Sequence, residues 1–98
     1  MTSRAQLEKI TDKLQQACAI LDYSGATGRR LVAVRSLIRP YSSDDMPTDA
    51  ARSLWFQVTE HVLRLGTGAA TSRDLHDLWL QIHQLRTAIR AYLDGAAH

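Results

Sequence analysis

The sequence predicts an all-α protein, a small antiparallel bundle of four helices of which the second is short. Two stretches repeat apolar residues at alternating spacings of three and four, and a third also keeps its apolar residues on one side of a helix, the pattern of a helix with one buried face. Glycine-containing or polar segments separate these stretches, and only two prolines occur in 98 residues. With an apolar fraction of 45% and no internal repeat, we expect one domain covering residues 1–98.

The most regular pattern predicts a fourth helix over residues 71–94. Thr71 and Asp74 have the spacing of a capping box, and Gly95 follows where a helix often ends. The stripe that we expect to face the core consists of Leu75, Leu78, Ile82, Leu85, Ile89 and Tyr92.

The N-terminal half predicts one long helix and one short helix. Residues 3–23 form the first, with a stripe of Leu7, Ile10, Leu14, Ala17 and Leu21. Two glycines within residues 24–28 predict a turn. Residues 29–39 form the second helix, which ends before Pro40 because proline disfavours helical geometry in the preceding residue.

The third helix is predicted from residue 48 to Leu65, with Asp45 or Thr48 as its N-cap. Its inward face consists of Ala51, Leu54, Trp55, Val58, Val62 and Leu65. Trp55 here and Trp79 on the fourth helix are each flanked by stripe residues. We therefore predict that both tryptophans anchor the core.

Charge and cysteine usage limit the class of protein. Twelve Lys and Arg against ten Asp and Glu leave a net charge of +2, which is weak support for nucleic-acid binding. Cys18 is the single cysteine, and we predict a buried, unreactive thiol. The charged N-terminus and the lack of a long apolar run predict no membrane segment and a cytoplasmic protein.

The titratable residues form no recognisable catalytic or metal-binding motif. His76 and His83 are seven residues apart, whereas metal ligands on one helix usually come from adjacent turns. No serine elbow and no pair of acids on an apolar face is found. We therefore predict no cofactor, no metal and no enzymatic activity. The alternative, a small helical enzyme, requires a closed pocket that holds two of His61, His76, His83 and Glu60.

The second helix carries the strongest local charge. Its four arginines, with no acid among them, are Arg29, Arg30, Arg35 and Arg39. One interpretation is a solvated surface whose arginines meet the acids of the next loop, Asp44, Asp45 and Asp49. The other is a patch that faces an acidic partner or a phosphate backbone. No aromatic residues lie between these arginines to stack on bases, so nucleic acid is the less favoured partner. A transcriptional regulator that binds nucleic acid through residues 29–39 is kept as the alternative function.

A second apolar face distinguishes the third and fourth helices. Phe56 and Leu63 are seven residues apart, so they superpose on a side of the third helix away from its stripe. Leu80 likewise lies away from the stripe of the fourth helix. Such residues can be covered by a loop or can widen the core of a bundle. Exposed together, they would form a patch that small monomers rarely leave in water.

These observations favour a small regulatory interaction protein that docks an apolar helical surface onto another protein and forms a homodimer. In size and composition the chain resembles small bacterial antiactivators and adaptor proteins. The predicted partner-binding residues are Phe56, Leu63, Leu80 and Tyr41 for apolar contact, and Arg35 and Arg39 for steering acidic groups.

Overall fold

In a computed structural model that describes residues 3–22, 26–68 and 70–96, the chain is helical. The α-helices are α1 (Arg4–Asp22), α2 (Thr27–Ile38), α3 (Asp49–Gly66) and α4 (Ser72–Ala96). A 3₁₀ turn, Ser43–Asp45, lies between α2 and α3, and these residues contain no strand. The radius of gyration is 13.2 Å, the value of a well-packed chain of about 100 residues. The predicted all-α class, with a short second helix, is confirmed.

Each α-helix packs mainly against two others. α1 and α3 each contact α2 and α4, and the 3₁₀ turn packs on α3. The guanidinium Nη1 of Arg4 donates a 3.0 Å hydrogen bond to the carbonyl of Leu93, which places the start of α1 beside the end of α4. The core lies where the apolar stripes of the helices meet, and it takes residues from every helix.

The predicted stripes of α1, α3 and α4 are largely buried, with one change of register in α4. Tyr92, predicted as the last stripe residue, is 38% exposed, whereas Leu93 is 1% exposed. The alternating spacing of three and four drifts relative to a helix with 3.6 residues per turn, so the buried line passes from Ile89 to Leu93. None of the described helices has both the length and the apolar character needed to cross a bilayer.

Hydroxyl side chains cap the predicted starts of α3 and α4. The Thr48 Oγ1 accepts from the Ala51 N–H at 3.1 Å, so Thr48, rather than Asp45, caps α3. The Thr71 Oγ1 accepts from the Asp74 N–H at 3.2 Å, and the Asp74 carboxylate accepts from the Thr71 N–H at 2.8 Å. The predicted capping box of α4 is therefore confirmed.

Two helix boundaries differ from the prediction by two residues. α2 begins at Thr27, two residues early, and includes Gly28 in its first turn. α4 continues through Gly95, which therefore does not adopt the left-handed conformation that ends many helices. The predicted end of the first helix at residue 23 lies outside the described residues.

Of the two predicted tryptophan anchors, Trp55 is confirmed as a core residue at 3% exposure. Trp79 is only partly buried and packs against the edge of the core. Met46, which belongs to no predicted stripe, is 3% exposed and completes the core from the segment between α2 and α3.

Candidate functional site

A groove of about 660 Å³ lies between α2 and the end of α3. Its volume is within the range of about 300–1,000 Å³ that is usual for binding sites. α2 contributes Thr27, Gly28, Leu31, Val32 and Arg35. The end of α3 and the segment after it contribute residues that include Val62, Leu63, Leu65, Gly66 and Ala70.

The groove has a buried apolar floor and an exposed apolar rim. Leu31 and Val62 are 7% and 4% exposed, whereas their chain neighbours Val32 and Leu63 are 66% and 57% exposed. Successive residues of an α-helix are turned by about 100°, so each rim side chain is one step around its helix from a floor side chain. The packing that holds the floor therefore also fixes the position of the rim.

Three glycines leave space along the groove. Gly28 lies in the first turn of α2, Gly66 is the last residue of α3, and Gly68 follows α3. A Cβ atom at any of these positions would meet no atom within 4 Å. Larger side chains could therefore be placed there without collision at the Cβ atom.

Phe56 continues the apolar rim along α3. It precedes Leu63 by seven residues, which is about two helical turns or 10 Å, and it lies on nearly the same side of the helix. Its side chain is 63% exposed. The structure therefore places the predicted pair, Phe56 and Leu63, on one exposed strip.

Arg35 is the charged residue among the groove-lining residues, and Arg39 follows it by one helical turn. Neither guanidinium contacts a carboxylate in the described residues, where the ion pairs are Arg4–Glu8 and Arg52–Asp49. The predicted contacts between the arginines and the acids of the next loop are not formed in that part of the chain. One of those acids, Asp45, instead accepts a 2.8 Å hydrogen bond from the Ser42 N–H.

The four arginines of the second predicted helix do not share one face. Arg30 is half-buried on the α1 side, where its Nη1 donates a 3.0 Å hydrogen bond to the Leu21 carbonyl. Arg35 instead lines the groove on the α3 side. A single strip of four arginines, which the nucleic-acid alternative requires, is therefore absent from the described residues.

Leu80 and Tyr41, also predicted to bind a partner, lie away from the groove. Leu80 is 41% exposed and follows the fully buried Leu78 by two residues, so it points from the opposite side of α4. Tyr41 is partly buried and packs against the core, and its N–H donates to the Ile38 carbonyl at 3.1 Å. The groove thus contains Leu63 and Arg35 of the predicted set.

Val32 is the groove residue absent from the sequence prediction. It has the largest exposed fraction among the big apolar residues of the described chain. Phe56 is recognisable as a large apolar residue that lies off the inward side of its helix, and Val32, one position after the buried Leu31, has the same property. The same test, applied to the second helix, would have found Val32.

The histidines of α3 and α4 are engaged outside the groove. The Trp79 indole is stacked with His76 at 6.2 Å between ring centroids and with His83 at 5.2 Å, with interplanar angles of 4° and 2°. The His61 Nδ1 lies 2.7 Å from the Gln81 Oε1. The described residues hold no group of three or more His, Cys, Asp or Glu that could bind a metal.

Cys18 is buried, as predicted, and its surroundings suppress ionisation. Burial raises the pKa of the Cys18 thiol from 9.0 to about 11, against a smaller opposing effect of Arg86. The negative charge of Asp22 adds to the increase. At neutral pH the side chain is therefore a protonated thiol, which is a poor nucleophile.

Comparison with protein-family models, curated proteins and solved structures finds no match for this chain. Function is therefore inferred from the groove itself. Its distinguishing properties are the exposed rim residues Val32 and Leu63 and the guanidinium of Arg35, which faces no acid among the groove-lining residues.

Proposed function

We propose that this protein is a small cytoplasmic regulatory module that binds another protein through the groove between α2 and α3. It would act as an antiactivator, adaptor or inhibitor, by occupying a surface of its partner rather than by catalysis. The observation that carries the proposal is the pair of exposed rim residues, Val32 and Leu63, on either side of an apolar floor. Burial of one such side chain contributes about 1–2 kcal/mol to binding.

The groove is suited to binding because its walls are already ordered. Leu31 and Val62 hold the two helices against the core, so the rim residues need no backbone rearrangement to contact a partner. A preformed apolar surface loses less conformational entropy on association than a flexible one. We take the scaffold to be an antiparallel bundle, for which the hydrogen bond between Arg4 and Leu93 is the support.

The alternatives have less support from the same surface. A phosphate backbone would meet an apolar rim at the centre of the groove, where nucleic-acid sites carry positive charge. A catalytic site needs titratable groups within reach of one another, and no histidine or carboxylate lines this groove. A homodimer also remains part of the proposal, formed through a surface other than the groove.

The proposal is tested by matched substitutions of exposed apolar residues. Val32→Ser and Leu63→Ser each remove part of the rim, whereas Leu80→Ser makes the same kind of change on the far side of α4. Each tagged variant is used to capture cross-linked proteins from a lysate, which are then identified by mass spectrometry. We expect a protein that wild type and Leu80→Ser retain to be lost from both rim variants.

Circular dichroism establishes that each variant is folded before capture. If the captured set is unchanged in Val32→Ser and Leu63→Ser, the groove is not the docking surface. If the loss occurs with Leu80→Ser instead, the interface lies on the outer side of α4, and the proposal for the groove is wrong.

A further inference from the structure

We infer that the occupant of this groove is an amphipathic helix of another protein whose apolar face is bordered by acidic residues. The inference rests on the proposed function and names the chemistry of the partner. Two observations carry it: the length of the apolar strip and the charge at its edge.

The exposed apolar strip is longer than the groove. Val32 and Leu63 line the groove, and Phe56 continues the strip for about two turns along α3. A small molecule that filled the groove would leave Phe56, at 63% exposure, uncovered. A helix with apolar residues at positions i, i+4 and i+7 presents contacts over this length, which is how helices are recognised by apolar grooves.

The charge at the edge of the groove specifies the sign of the partner. Arg35 lines the groove, no carboxylate does, and Arg39 repeats the positive charge one turn later. The acid beside the strip is Glu60, which lies on α3 one turn from Phe56 and from Leu63. A guanidinium that loses water at an interface without a carboxylate partner weakens binding. Acidic residues one turn apart on the docked helix would supply that partner and would favour charge-assisted hydrogen bonds.

The same charge disfavours a second copy as the occupant. In a symmetric pair formed through this surface, each groove would face an identical groove that has no carboxylate among its lining residues. Neither Arg35 would then gain an acidic partner, and an unpaired guanidinium that loses water acts against association. The occupant is therefore a different, acidic segment.

Binding is measured by fluorescence anisotropy with two labelled helical peptides of about 14 residues, or four turns. Both carry leucines at i, i+4 and i+7. One has glutamates on the flanks of this face, and the other has lysines. We expect the glutamate peptide to bind at least about tenfold more tightly than the lysine peptide, with a difference that shrinks as salt is added.

Two charge variants separate a local effect from a general one. Arg35→Glu places the opposite charge at the groove, and we expect it to weaken binding of the glutamate peptide about tenfold. Arg29→Glu makes the same change on the same helix at an exposed position that does not line the groove. Arg29→Glu should change the affinity for the glutamate peptide by less than about twofold, because salt screens charges that lie far from the bound peptide.

A blocking variant tests the position of the peptide. In Gly28→Trp the new side chain starts from a position with free space around its Cβ atom, so the fold should survive while the groove is obstructed. We expect this variant to lose binding of both peptides. Retained binding would show that the peptides sit elsewhere, which would overturn the inference.

Other results would also overturn it. These are equal binding of the two peptides, an equal loss in Arg29→Glu and Arg35→Glu, or a wild-type dimer in sedimentation that Leu63→Ser converts to monomer. Binding of a DNA duplex that is lost in Arg35→Glu and kept in Leu63→Ser would assign the patch to nucleic acid.

If lysate capture depends on Leu63 but the glutamate peptide does not bind, only the present inference fails. If capture is independent of Leu63, the proposed function fails.

Discussion

The Nδ1 atom of His61 lies 2.7 Å from the Oε1 atom of Gln81, and this hydrogen bond joins α3 to α4. Both side chains are partly buried, so each loses water when the helices pack. We predict that His61→Ala and Gln81→Ala each lower the free energy of unfolding by about 1 kcal/mol. The double variant should lose little more than the larger single loss, because the two changes remove one shared interaction. Urea unfolding of all four proteins measures this coupling, and additive losses would contradict it.

The two tryptophans should contribute unequally to stability. Trp55 is 3% exposed, whereas Trp79 is partly buried at the edge of the core. We predict that Trp55→Ala lowers the free energy of unfolding by about 3–5 kcal/mol, the usual range for a large core residue. Trp79→Ala should cost about 1 kcal/mol, because less apolar surface is lost. Thermal and urea unfolding provide the comparison, and equal losses would place Trp79 in the core.

The capping box of α4 should make stability depend on pH. Hydrogen bonds from the Thr71 N–H and hydroxyl lower the pKa of Asp74 from its ordinary value of 3.8. The folded state therefore favours the ionised form, so this stabilisation is present above pH 3.8 and is lost as pH falls through the lowered pKa. We predict that Asp74→Asn is less stable than wild type near neutral pH and that the difference shrinks in acid.

Thermal unfolding over a pH series measures the effect of the capping box. Thr71→Ala is the matched variant, because it removes the hydroxyl donor and keeps the backbone N–H donor. Its stability should show a pH dependence between those of wild type and Asp74→Asn. A constant difference between wild type and Asp74→Asn at all pH values would contradict the assignment.

Cys18 should react slowly while the protein is folded. A pKa raised from 9.0 to about 11 lowers the thiolate fraction at pH 8 by about 100-fold, and the thiolate is the species that reacts. Limited access to the buried sulfur slows the reaction further. Iodoacetamide labelling followed by mass spectrometry measures the rate, with the urea-unfolded protein at the same pH as the control. Equal rates in the two states would contradict the burial of this thiol.

Most features that depend on residues close in the sequence were predicted correctly, the exceptions being the end of α4 and the place of Tyr92 in its stripe. The stripe of α4 follows from the helical repeat, and the capping box requires only residues three positions apart, Thr71 and Asp74. The stripe also shows which side of each helix faces the core. It does not show which neighbouring helix lies on either flank of that side. For this reason the sequence showed that Phe56 and Leu63 lie on a second side of α3. It did not show that Leu63 lines a groove or that Phe56 lies beyond it.

Features that depend on the neighbouring helix were missed or misplaced. Leu80 has the same off-stripe character as Leu63, but α2 packs beside α3 and forms a groove only with Leu63. The helical repeat places Arg30 and Arg35 on different sides of α2, but only the packing shows that Arg30 meets the end of α1 and that Arg35 lines the groove. Met46 lies outside any repeat, so its burial follows from the packing of the 3₁₀ turn on α3 and has no periodic signal.

The hydrogen bond from Arg4 to Leu93 joins residues 89 positions apart, and this has a consequence for the folding pathway. α1 with α2, and α3 with α4, are pairs of consecutive helices that close short loops. Closing 89 residues costs about 2 kcal/mol more loop entropy than closing about ten. We therefore expect the consecutive pairs to form early and docking of α4 onto α1 to complete the native state. Substitutions at that late contact should accelerate unfolding more than they slow folding.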